Sequence, residues 1–362
     1  MSDLAFAQSL HARPSANKFA NGSHLTSDFV QQQNSICDFN SSDSWVILSP
    51  IEQSIKRKIE AIGTPLKDWD IQINYGIKTG FNDAFIISTE KRNEILANCK
   101  TEDERQRTAE LIRPILRGRD IKRYGYDWAN LWLIATFPAC HYDIEKYPAV
   151  KNYLLSFEEN NLHDAGYDWV VDNYLADFCK QKLAQTGKFI EIAGKRITIG
   201  NTPEKARKKT SNKWFETQDS ISYWEDFSKP KVMWKIIGCN INFCFDEKQL
   251  ICNNAVDIMV GDRDNLIQFV GLMNSKLFDW YLKLTTEAEV QGGGIQLYVT
   301  TLEKTLLKLD FNQSFTDIVY QRIKNQVTDD AVDKAVFEAY RLSTEEQTFI
   351  LQDRRVNRNR ED

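Results

Sequence analysis

Two short segments that mix glycine, basic side chains and amides interrupt the apolar pattern of the first third of the chain. In the first, residues 75–85, glycines at both ends of a tight loop enclose Lys78 and Thr79, and Asn82 follows. In the second, residues 117–123, four cations flank a glycine. Glycine permits close approach of the backbone to a ligand, and lysine or arginine neutralises a phosphate. Both segments are therefore predicted to be loops between apolar elements, where they can form a groove for a polyanion.

Each of these segments also has a simpler interpretation. The first can be an ordinary hairpin turn, and the second can be a solvated turn. Asparagine pairs well with adenine and arginine with guanine in the major groove, which makes both segments candidates for DNA contact. The candidate contacts in the two segments are Lys78, Thr79, Asn82, Arg117, Arg119, Lys122 and Arg123.

Two further segments could extend such a surface. Residues 291–298 contain three consecutive glycines flanked by Gln291, Gln296 and Tyr298, and could lay backbone flat against a partner with two amides available for base edges. A mobile linker is the alternative interpretation. The basic run at 205–213, which includes Lys208 and Lys209, could follow a DNA backbone. An exposed flexible loop is the alternative there.

The composition argues against a globally basic nucleic-acid binder. The net charge is -5 over 362 residues, although charged residues make up 27% of the chain. Any affinity for DNA would depend on a local cluster of lysine and arginine, because phosphate binding follows local charge. The length allows two domains or one large one, and a hydrophobic content of 42% supports a substantial core.

The cysteines and histidines give no sign of a metal site. Seven cysteines without a CxxC pair indicate reduced thiols, and we expect a cytoplasmic protein. Cys239, Cys244 and Cys252 fall in apparent strands, which favours core thiols over metal ligands. The four histidines lack HxxxH or HxH spacing. No apolar run approaches the roughly 18 residues of a membrane span, and no signal peptide is expected.

The pattern of residues divides the chain into three parts. Residues 1–44 are polar and aperiodic, which predicts a poorly ordered lead-in. Residues 45–310 mix strands with helices, and residues 311–362 are helical. The predicted strands are 69–75, 84–87, 131–136, 231–237, 242–245 and 255–260, with a hairpin at 189–199. The predicted helices are 51–62, a charged helical region covering 89–112, two within 146–186 and a long one from Asp264 to about Leu284. The expected fold class is α/β, of the α+β kind, with a mixed sheet, long packing helices and a helical C-terminal region.

Catalytic motifs are missing from the sequence. An amino-methyltransferase needs a [DNS]PP[YF] loop for the extruded base and a glycine-rich turn for S-adenosylmethionine, and neither occurs here. Walker A, dinucleotide-binding and GxSxG motifs are also missing. No catalytic residue is therefore predicted.

Several segments resemble one known family. The segments 45–52, 75–87 and 112–121 are similar to the C-terminal specificity region of bacterial type II (IIG-like) restriction-modification enzymes, which follows a TaqI-type adenine methyltransferase domain. Similar segments follow in family order at 227–234, 272–284 and 330–351. The resemblance covers about residues 45–352, although 160–213 fit it poorly.

The resemblance implies that residues 45–310 form a target recognition domain for double-stranded DNA. Such a domain guides adenine methylation and, in fused enzymes, cleavage. The family's catalytic elements lie upstream of this region, so no cofactor is expected in this chain. S-adenosylmethionine, and Mg²⁺ if DNA is cleaved, would be bound by a separate methyltransferase or endonuclease subunit.

Two other functions stay open on the residues alone. Asp120 and Lys122 match half of a nuclease motif, which would suit a restriction endonuclease with a degenerate metal site. The predicted 264–284 helix and the C-terminal helices could instead dock another subunit, as in an interaction scaffold without DNA specificity.

Overall fold

A computed structural model describes residues 48–157, 189–192, 195–198, 211–285, 289–290 and 294–357. Its helices are α1 (Pro50–Ile62), α2 (Asn82–Phe85), α3 (Thr89–Ala97), α4 (Glu102–Leu111), α5 (Pro148–Leu155), α6 (Arg263–Met273), α7 (Lys276–Thr285), α8 (Val299–Lys304), α9 (Gln313–Ile323), α10 (Asp329–Ala339), α11 (Thr344–Gln352) and α12 (Arg354–Asn357).

Its strands, most of them short, are β1 (Thr64–Pro65), β2 (Ile71–Tyr75), β3 (Ile86–Ser88), β4 (Ile112–Leu116), β5 (Ile121–Lys122), β6 (Gly125–Tyr126), β7 (Leu131–Ile134), β8 (Phe189–Ile192), β9 (Lys195–Thr198), β10 (Lys231–Lys235), β11 (Ile237–Gly238), β12 (Phe243–Asp246), β13 (Ile251–Cys252), β14 (Val256–Gly261), β15 (Glu289–Val290), β16 (Gly294–Gln296) and β17 (Leu306–Leu307).

An antiparallel sheet in the order β12-β10-β14-β2 lies at the centre of the molecule. Its inner strands are almost continuously apolar because both of their faces are covered. Trp234 and Met259 pack into a first core on one face, while Met233 and Ile258 pack into a second core on the other. The alternation follows from the two-residue period of side chains along a strand.

The first core is built from helices. It joins α1, α6 and α7 to the C-terminal helices α9, α10 and α11 through buried aliphatic and aromatic side chains. Glu346 on α11 accepts hydrogen bonds from Ser54 (2.8 Å) and Lys58 (2.6 Å) on α1. The C-terminal helices thus share a core with the preceding part of the chain, and the boundary expected at residue 310 stays a prediction.

The second core contains a mixed sheet in the order β13-β4-β7-β3. β13 runs parallel to β4, and the other neighbours are antiparallel. Helices α2 to α5 cover this sheet with residues such as Ile95 and Val150. Cys244 and Cys252 are fully buried in this core, and burial raises the pKa of both thiols. The expected mixed α/β class is confirmed, as is the prediction of core thiols at Cys244 and Cys252. The same prediction is wrong for Cys239, which is exposed and lies outside the strands.

Two predicted elements are wrong in detail. Residues 84–85 of the strand predicted at 84–87 belong to helix α2, because the Phe81 carbonyl accepts hydrogen bonds from the amides of Ala84 and Phe85, while residues 86–87 lie in β3 as predicted. The predicted 264–284 helix is two helices that meet at Asn274, whose side chain bonds to the Phe243 backbone at 2.7 and 3.1 Å. The N-cap of the first is Asp262 instead of Asp264.

Other predictions hold or fall outside the described residues. The hairpin of β8 and β9 and the capping boxes at Ser49 and Ser343 are confirmed. The lead-in at 1–44, most of the helical pair at 146–186 and nearly all of the basic run at 205–213 lie outside the described ranges. Within those ranges every helix is too short or too polar to span a lipid bilayer.

Candidate nucleic-acid interface

Several strands of the two main sheets end at one common edge. Tyr75 at the end of β2 pairs with Asp257, and Asp257 pairs with Trp234 near the end of β10. The end of β13 lies beside the end of β4. The loops that follow these strands therefore meet at the edge where β14 begins. We call the side chains there the strand-end surface, which consists of Tyr75, Lys78, Arg119, Lys235, Ile237, Asn254, Gln296 and Tyr298.

The turn at 252–256 joins the two glycine-containing segments. On one side the amide of Gly76 donates to the Val256 carbonyl (2.9 Å), and Ile77 donates to Cys252 (2.8 Å). On the other side the amide of Asn253 donates to the Leu116 carbonyl (2.9 Å), immediately before the basic turn. Segments some forty residues apart in the chain are thus held side by side by backbone hydrogen bonds.

The first segment presents Lys78 and uses Thr79 for its own structure. Lys78 is exposed, whereas Thr79 is only 2% exposed, donates to the Asn82 side chain (2.7 Å) and accepts from the Phe81 amide (3.2 Å). Gly80 has φ 77°, a left-handed conformation that favours glycine. Asn82 is exposed, and its side-chain oxygen Oδ1 accepts the hydrogen bond from Thr79. The side-chain nitrogen Nδ2 is therefore the group of Asn82 that is left for a ligand.

The basic turn divides its cations between structure and surface. Arg117 grips Asp120 through two hydrogen bonds, Nη2 to Oδ1 at 2.8 Å and Nε to Oδ2 at 3.0 Å, and this contact raises the pKa of Arg117. Arg123 pairs with Asp329 (3.2 Å) and donates to the Asn274 carbonyl. Arg119 is exposed, and Lys122 is half-buried. Of the four cations, Arg119 is the one that the fold places on the strand-end surface.

The nuclease interpretation of this turn finds no support in the geometry. Asp120 is only 4% exposed, and both its oxygens are bound by Arg117, which leaves the carboxylate committed to an ion pair. Among the residues that the structure describes, no group of three or more His, Cys, Asp or Glu side chains could hold a metal ion.

The glycine-rich segment reaches the same edge through a short ribbon. The amide of Ile236 donates to Ala255 (3.1 Å), and that of Leu297 donates to Ile236 (2.8 Å). Strand β11 pairs with β16, which places Ile237 opposite Gln296. Gln296 is half-buried, and Tyr298 is 48% exposed. Gln291, Lys208 and Lys209 lie outside the described residues.

A cavity of about 320 Å³ opens beside the basic turn, next to Lys122 and Arg123. Asn240, Asn274 and Asp329 also line it. Because Arg123 is paired with Asp329, the cavity carries charges of both signs and does not form an anion pocket.

Sequence reasoning missed several residues of the strand-end surface. Tyr75 was assigned to the apolar alternation of a strand, yet its side chain is 61% exposed. Lys235 and Ile237 were assigned to a strand, and the turn residue Asn254 was not singled out. The Asn-Asn dipeptide at 253–254 is a turn signal that could have indicated a loop there. Whether a side chain at the end of a strand is exposed or buried cannot be predicted from a single sequence.

A buried carboxyl group lies beneath this surface. Asp257 is 1% exposed, its Oδ1 has no hydrogen-bond partner within the described part of the chain, and burial raises its pKa to about 7. In the unfolded chain its pKa is about 3.9. A raised pKa in the folded state means that folding takes up a proton. The stabilising contribution of the neutral form is therefore complete below pH about 4 and is lost as pH rises through about 7.

We expect Asp257→Asn to remove this pH dependence. The variant should exceed the wild type in free energy of unfolding by about 2 kcal/mol at pH 8, where the wild type buries an unpaired charge. At pH 5 the difference should be clearly smaller, because less of the stabilising contribution has been lost there. Urea denaturation at both pH values measures this difference. An unchanged difference between pH 5 and pH 8 would contradict the expectation.

No curated protein matches the chain. Similar solved structures include the type IIL restriction-modification enzyme MmeI in complex with DNA and the type IIG restriction endonuclease BpuSI, each at 12% identity with a TM-score of 0.44. The similarity covers 80% and 83% of this chain but only 35% and 32% of those proteins, so the chain spans about a third of their length.

The family comparison is more specific. The model of the TaqI-like C-terminal specificity domain matches residues 113–305, just over half of the chain. The matched region begins in β4, contains the basic turn, and includes the 252–256 turn and the ribbon of β11 and β16. The chain therefore belongs to the family of TaqI-like C-terminal specificity domains.

Proposed function

We propose that this chain recognises a specific sequence in double-stranded DNA and directs adenine methylation by a catalytic domain or subunit of a restriction-modification system. The observation that carries the proposal is the strand-end surface, where loops from both halves of a specificity-domain fold are joined by the 252–256 turn. Membership in a specificity-domain family supports DNA as the partner.

The chemistry of the surface suits a duplex. Lys78 and Arg119 are exposed cations that can contact phosphates, and phosphate contacts set the position of a protein on DNA. Asn254 and Gln296 supply amides, which can read base edges in the major groove. A protein with a net charge of -5 needs such a local cluster to attract a polyanion.

Methylation and cleavage belong to the proposed partner. The sequence has no methyltransferase motif, so S-adenosylmethionine would be bound by the catalytic domain or subunit, as would Mg²⁺ if the system cleaves DNA. The chain alone is expected to bind DNA without transferring a methyl group. We place this assembly in the cytoplasm, where its DNA substrate would be found.

The first test is selection from a randomised duplex library at about 150 mM salt, where non-specific phosphate binding is weakened. Enrichment of one short motif would support a recognition function. Binding that is weak, equal for all sequences and no better than binding to heparin would instead favour the interaction-scaffold function.

Neutralising the exposed cations should weaken DNA binding in a salt-dependent manner. Lys78→Ala and Arg119→Ala should each lower the slope of log affinity against log salt by about 1, as expected for one lost phosphate contact. If Arg119 reads a guanine instead, its loss should reduce affinity about 10- to 100-fold for the preferred motif alone. Fluorescence anisotropy at several salt concentrations measures both effects.

Lys67→Ala is the matched control for these variants. Lys67 is exposed and precedes β2, at the opposite end of the strand from Tyr75. Its replacement removes the same charge away from the strand-end surface and should leave the slope unchanged. Equal effects of the Lys67 and Lys78 variants would place the DNA elsewhere.

A further inference from the structure

Apolar side chains stand among the cations of the strand-end surface. Tyr75 is 61% exposed, Ile237 is 53% exposed and Tyr298 is 48% exposed. They are three of the seven large hydrophobic residues that are exposed in the described part of the chain. Single exposed apolar residues are common, but a group of them marks a binding surface.

The backbone beneath these side chains is rigidly held. The Tyr75 carbonyl accepts a hydrogen bond from the Tyr223 hydroxyl (2.9 Å), and Tyr75 is in register with Asp257 across the sheet. Ile237 is paired with Gln296, one residue after the hydrogen bond from Ile236 to Ala255 (3.1 Å). A side chain that inserts into a binding partner needs a rigid backbone beneath it, because a mobile segment would be displaced instead.

The spacing of these residues is set by the sheet. Neighbouring strands lie about 4.8 Å apart, so Tyr75 is about 10 Å from Trp234, two strands away. Ile237 follows Trp234 by three residues, with Lys235 between them. Successive bases lie about 3.4 Å apart along one DNA strand. Tyr75 is thus separated from Ile237 by about three base steps, with basic side chains between and beside them, whereas Tyr298 lies closer to Ile237, whose strand partner is Gln296.

A regular duplex offers little to such side chains. Phosphates flank its grooves, and stacked bases expose their polar edges with only the thymine methyl group as an apolar contact. The apolar faces of bases become accessible when a base step is opened, and proteins that insert apolar wedges bend DNA in this way. The alternation of cations with apolar side chains matches phosphates on either side of an opened step.

This inference rests on the proposed function. We infer that Ile237 and Tyr298 insert at one base step, that Tyr75 contacts the duplex about three steps away, and that the bound duplex is bent. The cations then hold the phosphates on both sides of the step. Opening a base step costs unstacking energy, and this cost is smaller at a mismatched step, where the bases are already less well paired and stacked. The chain should therefore prefer a duplex with a mismatch at the inserted step.

The experiment uses the full chain and the duplex enriched by library selection, labelled at both ends for energy transfer. The wild type should shorten the end-to-end distance by a bend in the range of about 20–90°. It should also bind a duplex with a mismatched step about 10-fold more tightly than the paired one. In the Ile237→Ala/Tyr298→Ala variant, bending and this preference should disappear, while affinity for the paired duplex changes only a few-fold. The Tyr75→Ala variant should bend the duplex less than the wild type and show a weaker preference for the mismatched duplex.

Ile62→Ala and Leu351→Ala are matched controls, because Ile62 at the end of α1 is 43% exposed and Leu351 on α11 is 42% exposed, on helices that do not contribute to the strand-end surface. Both variants should bend DNA as the wild type does. A wild-type complex that binds the selected site but stays straight would overturn the inference and leave the proposed function intact. Bending that survives in the double variant would also overturn it. Failure of the wild type to bind any duplex would remove the proposed function and the inference together.

Discussion

Replacing Gly76 by alanine should destabilise the protein by roughly 3 kcal/mol and abolish DNA binding. A methyl group at this position would lie 2.0 Å from the Asn253 carbonyl oxygen and 2.5 Å from that of Val256. Both obstacles are backbone atoms of the turn at 252–256, which cannot rotate away as a side chain can. Overpacking of a rigid site costs about 1–3 kcal/mol, and this clash lies at the upper end. Urea denaturation measures the loss of stability.

The effect on binding follows from the same contact. The methyl group would push apart the two loops that the 252–256 turn holds together, so the cations at Lys78 and Arg119 would no longer be aligned. Gly125→Ala is the matched control, because a Cβ there meets no atom within 4 Å. That variant should keep both stability and DNA affinity. If Gly76→Ala bound DNA normally, the turn could not be what positions the loops.

Breaking the buried ion pair of the central sheet should have the largest effect on stability. Lys231 and Asp246 are 2.6 Å apart, and both side chains are 0% exposed. Lys231→Met leaves a buried carboxylate without its cation and should cost about 3–5 kcal/mol in free energy of unfolding. Asp246 also accepts from the amides of Lys248 (2.9 Å) and Leu250 (3.0 Å), so it must stay polar.

A double-mutant cycle separates the pair from its surroundings. The Lys231→Met/Asp246→Asn variant removes both charges but keeps an oxygen for only one of the two amides, because Lys248 donates to Oδ1 and Leu250 to Oδ2. It should therefore recover only part of the loss, less than half. Lys56→Met is the control, since Lys56 pairs with Glu60 at 3.6 Å and both side chains are exposed. Its denaturation midpoint should barely move, because exposed pairs contribute little. A double variant as unstable as the sum of the single ones would show that the charges do not act as a pair.

Much of the fold could be predicted because its signals are local. The Ser49–Glu52 capping box, the alternation of Trp69–Tyr75 and the acidic periodic stretches near the C-terminus all depend on residues close in sequence. The predictions were wrong where contacts between residues distant in the sequence determine the local structure. The break at Asn274 depends on hydrogen bonds to Phe243, thirty-one residues away.

The candidate site could be predicted only in part. The glycine-containing loops carry a composition that indicates contact with a polyanion, and Lys78 and Arg119 lie at the surface as expected. The sequence could not tell which cations in the basic turn would be used internally. Arg117 and Arg123 differ from Arg119 only through their partners, Asp120 and Asp329. The second of these partners is about two hundred residues away in the chain.

The sequence by itself determined the family, the mixed α/β class, the positions of most strands and helices, and the chemical character of the two glycine loops. Only the tertiary structure decided that these loops adjoin, that the 252–256 turn joins them, and that Tyr75, Ile237 and Tyr298 share a surface with the cations. The physical reason is that propensities, caps and periodicity act between near neighbours, whereas strand register is set by pairing and packing between distant segments. A surface made of strand ends forms only when the strands pair in that register, because the register determines which strand ends lie side by side.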